Sequence, residues 1–309
     1  MSSSHLVATS KFGFVITKPL QLLVVLAIIE QLPATAARDL LILDAFADAA
    51  EIAAAVEKYR AKWGDVHFFS SHDSMFQHCL ATRYATLFMD SDVGFKKNVE
   101  LLRIRLRSPA CRFAVYEEGV GTYRTDLYRG WRKQLLRTLG AGVHFGGNRL
   151  VSEVYVFDKA EYAHAFGESK VIAITCNLMA LLEKYAAELF GIFGADRVRN
   201  ALGNNGRSKE AVLYLSSWQV DSAALLQIRA EQCLKILKPH PHHRNITEGG
   251  AYEGFFVAPA GMPAEILLLL IGEMFDTIRI YHHGTSAERY VKKPNLKYVL
   301  LNPIVLTRF

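Results

Sequence analysis

The sequence predicts an α/β protein made of two units, each a parallel sheet covered by helices on both faces, and three observations carry that reading. Short continuous apolar runs alternate with longer helical patterns, which is how strands buried on both faces of a parallel sheet read. A polar stretch containing Gly and Asn, GNNGRSKE (203–210), interrupts the alternation, and a second alternating series follows it. The chain has 309 residues of which 51% are hydrophobic, enough to fill two ordinary cores. The expected division is an N-terminal unit over 1–205 and a C-terminal unit over 206–309.

Taken in order, HLVATS reads as a strand before the helix PLQLLVVLAIIEQL, and DLLILDA as a strand before the helix AAEIAAAVEKYRAKW. ATLFMDS and CRFAVYEEG are further strands, the second leading to the helical pattern LYRGWRKQLLRTL. SEVYVFD and SKVIAIT close the first series, and NLMALLEKYAAELFGIFG (177–194) is a long amphipathic segment. The second series runs AVLYLSSW, the helix SAALLQIRAEQCLKIL, GFFVAP, the helix PAEILLLLIGEM, TIRIYHHGTS and LKYVLL. No short internal repeat or low-complexity tract is present.

Lys and Arg number 36 against 30 Asp and Glu, so the chain is basic and favours anionic partners without choosing among them. The four cysteines, Cys79, Cys111, Cys176 and Cys233, are scattered with no CxxC pair, which argues against a disulfide framework or a zinc knuckle and for a cytoplasmic protein with reduced thiols. PLQLLVVLAII (19–29) is too short to span a bilayer and lacks a following small-residue cleavage signature, so a buried helix is expected there.

Ligands of open parallel sheets bind outside the carboxyl ends of the strands, so polar groups just after each strand carry the functional signal. In VYEEGVGTY (115–123), Glu117 and Glu118 follow an apolar strand and Gly119 allows a tight turn. Adjacent carboxylates repel, which raises the pKa of one towards that of a general base. In KILKPHPHHRN (235–245), Pro239 and Pro241 stiffen the backbone around His240 while Lys238 adds a charge suited to a phosphate or a base. In YHHGTSAERY (281–290), Gly284, Thr285 and Ser286 open a helical pattern and offer donors to an anion. Ser217, after the first strand of the second series, is a further donor-side candidate.

Together and in this order, Glu117-Glu118-Gly119, His240-Pro241 and Thr285-Ser286 resemble the motifs of the bacterial sialyltransferases, GT-B enzymes that use CMP-sialic acid. Lys238, two places before the motif histidine, Glu265 of MPAEILL and the early TKPLQLL (17–23) extend the resemblance. It implies a GT-B fold, two Rossmann-like domains facing each other across a cleft, with acceptor and catalytic base in the first domain and donor in the second. It further implies Glu117 as base with Glu118 in support, His240 against the leaving phosphate, and Thr285 and Ser286 on its oxygens. Glu265 would then meet the ribose and Lys238 the cytidine. The implied partners are CMP-sialic acid or a related nonulosonic acid donor and a cell-surface glycan acceptor, lipooligosaccharide or capsule. No metal or other cofactor is implied. Transfer of another CMP-linked acid such as Kdo, or polysialyl extension, is the runner-up within the same fold.

Two readings compete. His240, His242, His243, His282 and His283 suggest a metal hydrolase, but carboxylates to accompany them are missing near both clusters. Asp90 and Asp92 stand in a short DxD spacing that is common by chance. The basic segment with Arg129, Arg132, Lys133 and Arg137 suggests nucleic-acid binding, yet its amphipathic pattern reads first as a solvated helix face. Nucleic acid is therefore not expected as a partner. A functional role compatible with the transferase reading is contact with anionic lipid at the inner membrane. A homodimer is compatible with the sequence.

Overall fold

The computed structural model describes residues 11–203, 209–217, 220–243, 251–252 and 254–301; the expected strand HLVATS and most of GNNGRSKE lie outside them. The described chain forms two compact units, one comprising residues up to 17, 24–44 and 56–176, the other comprising 18–23, 45–55 and 177 onward.

The sheet of the first unit has seven strands: β1 (Lys11–Ile16), β2 (Ala37–Leu43), β3 (Asp65–Phe69), β4 (Thr86–Met89), β5 (Arg112–Tyr116), β6 (Val151–Val156) and β7 (Val171–Ala173). They pair in the order β3-β2-β1-β4-β5-β6-β7, and every pairing is parallel. Parallel neighbours need crossovers, and these are supplied by α1 (Pro19–Ile29), α2 (Ala49–Glu57), α3 (Arg60–Trp63), α4 (His72–Ala81), α5 (Phe95–Arg107), α6 (Gly130–Thr138) and α7 (Lys159–Phe166). Helix α1 is apolar almost all round, and Leu22 to Ile28 are sealed from solvent. Such a helix is stable only inside a core. β3 escapes a reading based on apolar runs because DVHFF is an edge strand with no fully buried residue.

After residue 177 the second unit continues with α8 (Leu178–Lys184), α9 (Ala186–Phe193) and α10 (Ala195–Gly203), so the amphipathic segment 177–194 forms two helices that meet at Tyr185. Its sheet contains β8 (Glu210–Leu215), β9 (Leu234–Lys238), β10 (Ala251–Tyr252), β11 (Phe255–Val257), β12 (Thr277–His282) and β13 (Leu296–Leu300). The order is β10-β11-β9-β8-β12-β13, parallel except for β10. Helices α11 (Ser222–Arg229), α12 (Ala264–Ile271) and α13 (Ala287–Tyr290) make the connections.

The pattern of SAALLQIRAEQCLKIL predicts a single helix, but α11 ends at Arg229 and LKILK forms β9 in the middle of the sheet. Its last three residues are fully buried, and a short apolar run at the end of a helical pattern fits either period. Pairing on both sides, with β8 and β11, decides for the strand. In both sheets the strand order reverses beside the first strand of the unit, between β1 and β4 and between β8 and β12. Each reversal opens a crevice at the carboxyl ends of the strands, where ligands of such sheets bind.

Gly64 tests how tightly α3 is joined to β3. Its φ is +89° and an added Cβ would lie 2.2 Å from the Arg38 carbonyl oxygen, backbone that has no room to give. At Gly167, φ is +93° and no atom lies within 4 Å of the added carbon. In urea unfolding both substitutions are expected to carry the penalty of a glycine-only backbone region, about 1–3 kcal/mol, and Gly64→Ala is expected to cost measurably more than Gly167→Ala because it adds the clash with the Arg38 carbonyl.

Candidate functional site at the carboxyl edges of the sheets

In the first unit, the crevice between β1 and β4 is bridged by Thr17, whose hydroxyl donates to Asp90 Oδ2 at 2.6 Å. Beside it β5 delivers Glu117, Glu118 and Gly119. Glu117 is sealed from solvent, and its Oε2 accepts from the Tyr123 hydroxyl at 2.5 Å and from the Phe157 N–H at 2.8 Å. That carboxylate fastens the end of β5 to the turn over Val120–Tyr123 and to the chain leaving β6. Glu118 is half-buried, its N–H donates to Thr122 Oγ1 at 2.9 Å, and its carboxylate packs over Gly121, where a Cβ would sit 2.7 Å from Oε1. Asp90 and Glu118 both push up the pKa of the buried Tyr116 phenol, after burial itself, so the two carboxylates share one electrostatic neighbourhood at this edge. Gly119 has φ +112° and ψ −155°, a backbone open to glycine alone.

The DxD spacing does not produce a metal pair. Asp92 is buried and accepts from the Gly146 and Asn148 amides at 2.8 Å each, a loop-closing role, with burial pushing its pKa up to about 6. Asp90 takes the Thr17 hydroxyl instead. Among the described residues one group has ligand atoms close enough for a cation: Asp39, His67 and His78, within 4.8 Å of one another. Asp39 is already neutralised by Lys11 Nζ at 2.7 Å and accepts from the Tyr84 hydroxyl at 2.8 Å.

The second unit gathers its motif residues through strand register. Leu215 of β8 pairs with Lys238 of β9 and with His282 of β12, so the three strands end level. The residues beyond them, Ser216 and Ser217, His240 and Pro241, and Gly284, Thr285 and Ser286, therefore share one edge. The Ser216 hydroxyl accepts from the His240 N–H at 2.8 Å, and the Ser216 N–H donates to the Lys238 carbonyl at 3.1 Å. His243 Nε2 lies 3.1 Å from the Ser217 carbonyl, and the His242 ring stacks on His240 with centroids 5.1 Å apart. The two histidines left without a role by the sequence thus hold the loop that carries His240. His240 Nδ1 accepts from the His242 N–H at 3.4 Å, which leaves Nε2 as the protonated nitrogen. Burial, then the neighbouring His242, Lys238, His243 and Lys18, lowers the His240 pKa to about 3. At neutral pH it is an uncharged N–H donor.

Lys238 turns inward. Its ammonium is buried and donates to the Pro239 carbonyl at 2.5 Å and the Ala260 carbonyl at 3.0 Å, tying the loop after β9 to the loop after β11. Burial lowers its pKa to about 7 against the pull of Glu265 and Asp48. Glu265, in the first turn of α12, is also buried, which raises its pKa, and its Oε1 accepts from the Ser286 hydroxyl at 3.2 Å. The helix after Ser286 is a single turn, too short to contribute much dipole, and Thr285 Oγ1 accepts from the Ala287 N–H at 3.2 Å. His283 lies apart from the His240 loop's bonds, 3.3 Å from the Tyr214 hydroxyl and 3.7 Å from Asp221 Oδ2.

Sequence reasoning missed two contributors to this edge. Asp48, at φ +60°, accepts from the Gly261 N–H at 3.1 Å and acts on Lys238, and the Ala47 N–H donates to the Pro241 carbonyl at 3.0 Å. Lys18, within TKPLQLL, adds positive potential at His240. Both stand some two hundred residues away in the chain, so no local pattern links them to the His-Pro loop.

No family model and no curated protein matches the chain. Among solved structures, Arabidopsis thaliana UGT89C1 complexed with UDP-L-rhamnose is similar at 8% identity with a TM-score of 0.54, covering 91% of this chain and 76% of that one. UDP-N-acetylglucosamine 2-epimerase from Rickettsia bellii is similar at 9% identity with a TM-score of 0.52, covering 94% and 78%. The fold is GT-B. Two Rossmann-like sheets, each reversed beside its first strand, are the GT-B elements that place the motif residues at carboxyl edges.

Replacing Lys238 by Met leaves two buried carbonyls without their donor and Glu265 without its cation. Chemical denaturation is expected to show a loss of about 3 kcal/mol. In the wild type, as pH rises from about 7 towards 10.5, the unfolded chain keeps a proton that folded Lys238 has released, so stability climbs over that window. The Lys238→Met variant is expected to lack that climb.

Proposed function

We propose that the protein is an inverting glycosyltransferase that moves sialic acid, or a related nonulosonic acid, from its CMP-activated form to a hydroxyl of a bacterial cell-surface glycan. The observation that carries this reading is the shared edge of the second sheet, where β9 presents His240, β8 presents Ser216 and Ser217, and β12 presents Thr285 and Ser286 beside Glu265. The GT-B fold supports it, as does the similarly folded UGT89C1, solved in complex with UDP-L-rhamnose. Cytidine specificity rests on the motif resemblance.

The geometry favours particular roles within the motifs. Glu117, first choice as base on sequence, is sealed and has its Oε2 committed to Tyr123 and Phe157, so we assign it to holding the turn. Glu118, half-buried at the same edge, takes the acceptor proton. The acceptor oxygen then attacks the anomeric carbon, the bond from that carbon to the phosphate oxygen breaks, and the electron pair leaves with CMP. His240, neutral with its proton on Nε2, donates a hydrogen bond to the leaving phosphate, and the Thr285 hydroxyl is a second donor. Lys238 and Glu265 are positioning residues, the first for the His-Pro loop and the second for Ser286. Pro241 fixes the loop through its carbonyl and Ser217 through its own. No metal takes part in these steps. Kdo transfer and polysialyl extension would use the same edge and are separated by donor and acceptor competition.

The test is transfer from CMP-sialic acid to galactose-terminated and sialylated acceptors, with product followed by mass spectrometry. Glu118→Gln is expected to lower kcat by about 10²–10⁴-fold with little change in stability. Glu117→Gln is expected to act mainly through stability. Activity that survives in Glu118→Gln would overturn the base assignment, and activity abolished by EDTA and restored by a divalent ion would overturn the metal-free steps.

A second outcome is spectroscopic. A phosphate at Nε2 favours the imidazolium, so CMP is expected to raise the His240 pKa from about 3 and to bind more tightly as pH falls. An NMR titration of the His240 ring that is unmoved by CMP would contradict this.

A further inference from the structure

Helix α6 contributes no buried residue to any core, so packing does not explain its sequence. Its outward stripe is apolar: Trp131 is 71% exposed, with Leu135 and, just past the end, Leu139 following at successive turns. Helix α5 has the same property. Leu101 and Ile104 face the core, while Phe95, Val99, Leu102 and Leu106 recur at i, i+4, i+7 and i+11 on the opposite, exposed face. Of the eleven exposed large hydrophobic side chains among the described residues, six lie on these two helices and a seventh, Leu139, just past the end of α6. The helices are joined where they meet. The Gly94 N–H donates to the Gly142 carbonyl at 2.9 Å and Asn98 Nδ2 to the Leu139 carbonyl at 3.4 Å.

Charge identifies what covers this face. Residues 95–107 and 124–139 together hold ten Lys and Arg against two Asp and Glu, a net +8, whereas the whole chain is +6. The remainder of the chain is therefore net −2, and its basic character is concentrated on these two segments. The Arg132 guanidinium lies 5.8 Å from the centre of the Trp131 ring, an aromatic and a cation presented together. A second copy of the same face would bring like charge against like charge, which disfavours a two-fold contact. The exposed stripes are mainly aliphatic, Val99, Leu102, Leu106, Leu135 and Leu139 against the two aromatics Phe95 and Trp131, which suits acyl chains better than a run of stacked bases.

We propose that the outward faces of α5 and α6 form a peripheral docking surface for an anionic phospholipid bilayer. Aromatic and aliphatic side chains enter the headgroup and upper acyl region while the arginines and lysines meet phosphate. This surface is independent of the donor assignment, because vesicle binding is read on the protein without substrate.

The experiment is co-sedimentation with vesicles of phosphatidylcholine alone and of phosphatidylcholine with phosphatidylglycerol, at low and high salt. Binding is expected to the phosphatidylglycerol vesicles only and to weaken with salt. Arg132→Gln and Arg137→Gln are each expected to weaken it about fivefold. Leu106→Ser and Trp131→Ser are expected to weaken it at either salt concentration. All four side chains are exposed, so melting temperatures should stay at the wild-type value, which separates loss of docking from loss of folding. Equal binding to both vesicle types, or binding unchanged in all four variants, would overturn the proposal. So would a solution dimer that Leu106→Ser and Trp131→Ser dissociate while vesicle binding is absent, or a duplex DNA that binds more tightly than the phosphatidylglycerol vesicles.

Discussion

The ammonium of Lys238 is buried at the end of the central strand β9 and donates to two main-chain carbonyls, those of Pro239 and Ala260. These bonds draw the loops after β9 and β11 together, and the shape of the carboxyl edge of the second sheet depends on that closure. A buried ammonium is costly, as its pKa of about 7 records, and it persists because the carbonyls, Glu265 and Asp48 compensate it. With the base of the His-Pro loop held, the Ser216 hydroxyl receives the His240 amide and His243 reaches the Ser217 carbonyl. His240 is thereby fixed in position and kept neutral.

Topology does the remaining positioning. Both sheets run their first three parallel strands outward in one direction and then return to the other side of the first strand. The reversal places chain segments of distant sequence at one edge: Thr17 and Asp90 in the first unit, and Ser216, His240 and Thr285 in the second. Acidic groups collect at the first edge and hydrogen-bond donors at the second.

Much of this was legible in the residues, and the failures have physical causes. Continuous apolar runs gave β2, β4, β5, β8, β11 and β12, whose residues are largely buried, and also β13, an edge strand whose run LKYVLL is only partly covered. β3 is not legible because DVHFF, at the sheet edge with no fully buried residue, carries Asp65 and His67 within its short run. β9 was absorbed into a helix because LKILK satisfies either period until its partners are known. The motif residues were legible through their order along the chain. Which glutamate of the pair is sealed was not, since that depends on Tyr123 and Phe157 reaching back to one carboxylate. Lys238 and Glu265 read as ligand contacts, and their burial and bonds within the protein were not legible, since these depend on the Ala260 carbonyl and the Ser286 hydroxyl reaching them. Asp48 and Lys18 were invisible because their bearing on the His-Pro loop arises only from folding.

The measurement that tests the central claim most directly is calorimetric titration of the protein with CMP, beside UMP, UDP and ADP, for the wild type and for His240→Ala. The account predicts selective binding of CMP that weakens about tenfold in the variant, the loss of one hydrogen bond to a charged phosphate. Absence of CMP binding, or equal binding of every nucleotide, would contradict it.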